Sequence, residues 1–159
     1  MIDTSSLIEF KKVVPVADQW LLLVQMSELV QAGRLAFPRQ VAAEMRAGRH
    51  PDAPGAWAVA QPGWARHRQP SDEALAEVLA VAQLTDPTAE AEFEVADPYV
   101  VAMAWDIRER SPATPVVVVT EDRVDRMPAK EAVTTACDRL DLQWCQTVEF
   151  IQWLQAGAP

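Results

Sequence analysis

The run Val116-Val117-Val118-Val119-Thr120 constrains the fold more than any other stretch of this chain. Consecutive β-branched residues favour an extended backbone, and with no polar residue alternating among them both faces of the strand must be covered. A strand covered on both faces belongs in a parallel sheet with helices on either side. Helical patterns precede and follow the run, so the expectation is an α/β protein, a three-layer α/β/α sandwich with a mainly parallel central sheet. At 159 residues, 50% of them apolar, the chain has material for one core, and a single domain over residues 1–159 is expected.

Taken in order, Met1-Ile2 leads into Asp3 as the end of a first strand, and Ser5 or Ser6 is expected to cap the helix that follows. Asp18 to Gln31 carries Trp20, Leu21, Leu23, Val24, Leu29 and Val30 in a helical pattern stopped by Gly33. Arg34 to Phe37 reads as a short strand, and Pro38 opens a helix running to about Ala47, with Glu44 on it. His50 to Gln69 is broken by Pro and Gly and predicts a short helix inside a long excursion. Ser71 to Leu84 predicts a helix capped by Ser71, with Leu75, Val78, Leu79 and Ala82 buried. Thr88 to Glu94 reads as a short acidic helix or lid, and Asp97 opens a helix to about Arg110. After the valine strand come a helix over Lys130 to Leu140, an edge strand over Leu142 to Cys145 and a closing helix over Thr147 to Gln155.

A formal charge of −9 argues against a generic nucleic-acid binder, because phosphate binding depends on Lys and Arg. The charge is uneven, however. Arg34, Arg39, Arg46, Arg49, Arg66 and Arg68, with His50 and His67, face only Glu44 and Asp52 as acids between positions 34 and 68. That island is either a solvated surface or a phosphate-facing patch. No apolar run has the length to cross a bilayer, so no membrane partner and a cytoplasmic location are expected. Cys137 and Cys145 form no metal-ligand or CxxC pattern and read as reduced, small hydrophobes. His50 and His67 lack a ligand spacing too, and Trp20, Trp105 and Trp153 read as packing residues, while Trp57 and Trp64 could pack or stack on bases.

Four acids fall at element ends: Asp3 after the first strand, Glu44 on a helix, Asp97 at a helix start and Asp122 past the valine strand. In parallel sheets ligands bind at the carboxyl ends of strands, which suits Asp3 and Asp122. Carboxylates gathered without a counter-ion raise one another's pKa, and a hard divalent cation, Mg²⁺ or Mn²⁺, relieves this. Singly, each acid has a plainer role: Asp97 as a helix cap, Glu44 as a solvated helix residue, Asp3 as a cap and Asp122 as a turn residue.

Their order resembles the PIN-domain ribonucleases in Asp3-Thr4-Ser5, Val41-Ala42-Ala43-Glu44, Ala96-Asp97-Pro98-Tyr99-Val100-Val101-Ala102 and Val119-Thr120-Glu121-Asp122. The resemblance covers nearly the whole chain and is closest to small, stand-alone bacterial members. It departs from the family in having only Met1 and Ile2 ahead of Asp3, where the first strand is normally longer. It implies an endoribonuclease in which Asp3, Glu44, Asp97 and Asp122 hold one or two Mg²⁺ or Mn²⁺ ions for phosphodiester hydrolysis. Asp122 is the preferred fourth acid, with Asp125 next and Glu121 also near. Ser5 would orient a ligand or the phosphate, or else cap a helix, and Arg39 and Arg46, on the helix of Glu44, would draw in phosphates. RNA is then the substrate and the biological role that of the toxin in a toxin–antitoxin pair, with an antitoxin protein, and optionally a second copy in a homodimer, as partner. The alternative is a non-catalytic PIN-like RNA-binding or protein-interaction module.

Overall fold

The computed structural model describes residues 1–48, 52–61, 69–88 and 94–157. Among these the protein is α/β and mostly helical. The helices are α1 (Thr4–Val13), α2 (Val16–Gln31), α3 (Arg39–Ala47), α4 (Ala53–Ala60), α5 (Asp72–Val81), α6 (Ala96–Arg110), α7 (Val133–Arg139) and α8 (Thr147–Gln155). The strands are β1 (Val117–Val119) and β2 (Gln143–Cys145), which pair in parallel with Val118 opposite Trp144. The crossover between them is α7, the connection that a parallel pair requires.

The valine run forms a strand of the parallel pair, with Val116 and Val117 half-buried. Val118 and Val119 are buried, and α6 packs directly against β1. The expected first strand is reduced to one parallel bridge, Ile2 to Val119, yet its backbone is held on both sides. Asp3 donates its N–H to Val119 O at 3.0 Å, Val119 donates to Met1 O at 2.7 Å, and Ile2 donates to Ala36 O at 3.1 Å. Arg34 to Phe37 forms no strand. It follows the end of α2, where Gly33 takes a positive φ of 71°, and Arg34 and Leu35 both donate to Leu29 O, so the chain is still closing the helix where a strand was expected.

Other boundaries differ for reasons of local bonding. The helix expected from Lys130 begins at Val133, because Lys130 O accepts the Arg126 N–H and the Thr134 N–H goes to Asp122 O, so the bond from Thr134 back to Lys130 that would open a helix there is not made. The helix expected over Ser71 to Leu84 ends at Val81; Ser71 caps it as expected, accepting from Ala74 N at 3.2 Å, but Leu79 is 47% exposed. On α2 the packed stripe is Leu22, Leu23, Met26, Leu29 and Val30, whereas Trp20 and Leu21, expected inside, are 77% and 62% exposed. Trp57 is a core residue, with its indole N–H on Ser27 Oγ and its ring 5.6 Å from that of Phe37, and so is not free to stack on bases. Both cysteines are free thiols. No helix among the described residues is long and apolar enough to cross a membrane.

The core joins α1, α2, α3, α5, α6 and α7 to β1 through residues such as Leu7, Phe10, Phe37, Val41, Val78, Val100 and Val118. Its importance for the site is positional: it fixes the N-terminus of α1, the middle of α3, the N-terminus of α6 and the end of β1 near one another.

Candidate acidic site

Asp3 is 1% exposed and stands at the N-cap of α1, the plainer role open to it, where Ser5 or Ser6 was also expected. One carboxylate oxygen, Oδ1, accepts the Thr4 N–H at 2.7 Å. The other, Oδ2, accepts the Ser5 hydroxyl at 2.6 Å and the Thr120 hydroxyl at 2.9 Å. Asp3 is therefore a cap and a site residue at once. Burial raises its pKa, against the hydrogen bonds from Ser5, Thr120 and Thr4, and the nearby Glu44 adds to the rise.

Thr120 ties two acids together. While its hydroxyl donates to Asp3, it accepts the Asp122 N–H at 3.1 Å, so the last strand residues and the first helix share one bonding group. Glu44, half-buried on α3, accepts the Thr4 hydroxyl on Oε2 and the Ala96 N–H on Oε1 at 2.7 Å. The second of these bonds satisfies a helix N-terminal donor of α6 that has no side-chain cap of its own. Burial raises the Glu44 pKa as well.

Asp97 does not cap its helix. Val95 holds the cap position and Asp97 lies one residue inside the first turn, 8% exposed. Its carboxylate contacts the Lys130 ammonium, which also bonds Asp122 Oδ2 at 2.8 Å. Burial, with the charge of Asp3, pushes the Asp97 pKa up to about 7 despite that ammonium. Asp122 is buried too, and its Oδ1 accepts from Arg126 at 2.9 Å.

The other expected site residues fall as follows. Ser5 donates to Asp3 and accepts the Glu121 N–H at 2.9 Å, so it orients the first acid. Asp125 is exposed and uses Oδ1 on the Ala132 N–H and the Thr135 hydroxyl at the start of α7; burial-independent bonding there holds its pKa below the usual range, and no hydrogen bond or ion pair among the described residues joins it to the four acids. Glu121 accepts the Thr147 N–H at the start of α8. Arg39 pairs with Glu94 at 3.3 Å, with its side chain 63% exposed. Arg46 is exposed and two residues from Glu44, hence on another face of α3. Arg34 lies over the Trp153 ring, and Arg49, His50, Trp64, Arg66, His67 and Arg68, like most of the expected acidic lid, lie outside the described residues.

Sequence reasoning missed Lys130, Thr4, Thr120 and Arg126. The two threonines stand inside the Asp-Thr-Ser and Thr-x-Asp stretches and were legible there, whereas nothing local to Lys130 marks it.

Carboxylate oxygens are the donors a hard cation such as Mg²⁺ or Mn²⁺ takes, and burial that disfavours the ionised form of Asp3, Glu44 and Asp97 is what such an ion offsets. The donor type fits. The spacing is different: among the described residues no group of three or more Asp, Glu, His or Cys side chains is placed to hold an ion, and Lys130 is seated between two of the acids. An open depression of about 220 Å³ between α5 and α6, lined by Ser71, Glu77 and Asp106 among others, includes none of the four acids.

A family model described as Domain of unknown function (DUF4411) matches residues 1–157. No curated protein and no solved structure matches the chain.

Proposed function

We infer, for a chain that belongs to the DUF4411 family, a metal-dependent endoribonuclease that hydrolyses RNA phosphodiester bonds, and we read its fold as a PIN-like three-layer sandwich forming one domain. The observation that carries the reading is the meeting of Asp3, Glu44, Asp97 and Asp122, from four separate elements, through Thr4, Thr120, Ala96 and Lys130. Buried carboxylates are costly to assemble, and a set of them at the carboxyl end of a parallel strand is better explained by ligand binding than by stability. The backbone bonds of Ile2 to Ala36 and of Asp3 to Val119 support the sandwich, since they extend the β1–β2 pair on its other side.

These four acids would hold Mg²⁺ or Mn²⁺, which supplies a water activated at neutral pH and a positive charge beside the phosphate. Ser5 and Thr120 keep the Asp3 carboxylate oriented, and Thr4 does the same for Glu44. Among the described residues Arg126, 65% exposed on its side chain and bonded to Asp122, would present a guanidinium to an RNA phosphate at the acids; Arg39 and Arg46 would serve farther along the strand. The biological setting is the cytoplasm, as the toxin of a toxin–antitoxin pair.

Incubation with total cellular RNA tests this reading. Fragmentation is expected with Mg²⁺ or Mn²⁺ and not after chelation, and Asp3→Asn or Asp97→Asn should slow it roughly 100-fold or more. Cleavage that survives chelation, or survives Asp97→Asn, overturns the metal assignment. One observation favours a second reading, a non-catalytic RNA-binding or protein-interaction module: Lys130 already neutralises part of the cluster. RNA that is retained but left intact at saturating Mn²⁺ would favour that module.

A further inference from the structure

The ammonium of Lys130 contacts Asp97 and Asp122, acids that come from different elements, and its side chain is only 16% exposed. Asp97 and Asp122 are two of the four acids that would hold a divalent ion. Mg²⁺ takes oxygen ligands at about 2.0–2.1 Å, so an ion shared by these two carboxylates would lie close to where the nitrogen is. Two cations at such a separation repel, and each carboxylate lone pair serves one of them. The two compete for the same pair of acids.

The backbone under Lys130 has little freedom to follow. Arg126 and Lys130 form an antiparallel bridge, with Arg126 N donating to Lys130 O at 2.8 Å. The Gln83 side chain donates to Pro128 O at 2.9 Å and to Ala129 O at 2.8 Å. Glu131 N donates to Gln83 O at 2.7 Å, and the Glu131 carboxylate takes both the Gln83 N–H and Arg139. The turn is thus fixed on both sides of the lysine, and what can move is its flexible four-carbon stem.

We propose that Lys130 is a tethered cation that stands in for the metal, holding Asp97 and Asp122 together in the metal-free protein and swinging out when a divalent ion enters. The proposal rests on the metal reading above and adds a residue to it. Lys130 sets how tightly the site takes its ion. It is a positioning residue that competes with the cofactor, and the metal-free cluster is stable because its own chain supplies the charge.

Two measurements test it. In the first, wild-type protein is acylated with a water-soluble N-hydroxysuccinimide ester, with and without Mn²⁺, and each lysine is followed by peptide mass spectrometry. Lys130 should react slowly without metal and several-fold faster with it, while Lys11 and Lys12, paired with Asp52 and Glu9 at the surface, keep constant rates and serve as references. Mn²⁺ binding, seen as a raised melting temperature, with no change at Lys130 overturns the proposal and leaves the metal reading standing. In the second, calorimetric titration of Lys130→Met with Mn²⁺ should show affinity at least tenfold above wild type, or binding where wild type has none. Equal or weaker binding by a folded variant overturns it, and the acylation result decides alone if the variant does not fold. No Mn²⁺ binding by either protein removes the metal reading and this proposal with it.

Discussion

Asp97 shows how much a single position depends on what surrounds it. Its carboxylate is buried beside the charges of Asp3, Asp122 and Glu44 and against the Lys130 ammonium, and burial dominates, raising the pKa from an ordinary 3.8 to about 7. Below about pH 4 the folded and unfolded chains both carry this proton. Between about pH 4 and 7 the folded chain keeps it while the unfolded chain has lost it, so the stabilisation present at low pH disappears as pH rises. In metal-free buffer the melting temperature of the wild type should therefore fall across that window relative to Asp97→Asn, whose amide does not titrate. Parallel melting curves for the two proteins from pH 4 to pH 8 would count against the assignment. Lys130 differs in kind: burial pulls its pKa down, Asp97 and Asp122 outweigh that, and it stays above its ordinary value.

At the scale of elements, helix ends do much of the work. Asp3 begins α1, the Glu44 carboxylate takes a free N–H at the start of α6, Asp125 takes one just ahead of α7 and Glu121 one at the start of α8. Acids near helix N-termini are favoured there by the helix dipole as well as by hydrogen bonds. Two of those acids belong to the candidate site and two do not, and only the bonding geometry separates them. Ser71 at the start of α5 allows the capping part to be measured away from the site. It accepts from Ala74 N and donates to Asp106 at 3.1 Å, so Ser71→Ala should destabilise the protein by about 1 kcal/mol. Thermal unfolding would show this as a loss of about 2–4 °C, and no loss would mean that the cap contributes nothing.

For the molecule as a whole, the question is what keeps three N-terminal residues in register at the middle of the site. The backbone of Met1 to Asp3 is bonded to β1 on one side and to Ala36 on the other, and the position of Ala36 depends on Phe37, which is fully buried against Trp57. Phe37→Ala should cost about 3–5 kcal/mol in urea unfolding, the usual range for emptying a large aromatic site. A loss below about 1 kcal/mol would show that the neighbouring core refills the space and that Phe37 does not anchor the segment.

Much was legible in local pattern. The valine run, the Ser71 cap, the short helix after His50 and the closing helix are all set by steric preference, capping chemistry or periodicity over a few residues. Those forces act within one turn or one strand, and for that reason a sequence displays them. Which of two apolar stripes of α2 turns inward, whether Arg34 to Phe37 pairs as a strand, and whether Asp97 caps or is buried depend on partners far along the chain. Lys130 is the clearest case: it lies 33 residues from Asp97, in a turn fixed by Gln83 and Arg126, and it becomes a site residue only because tertiary packing carries its ammonium into a cluster of buried carboxylates. The sequence determined which acids were available; three-dimensional packing decided which of them meet and what cation stands between them.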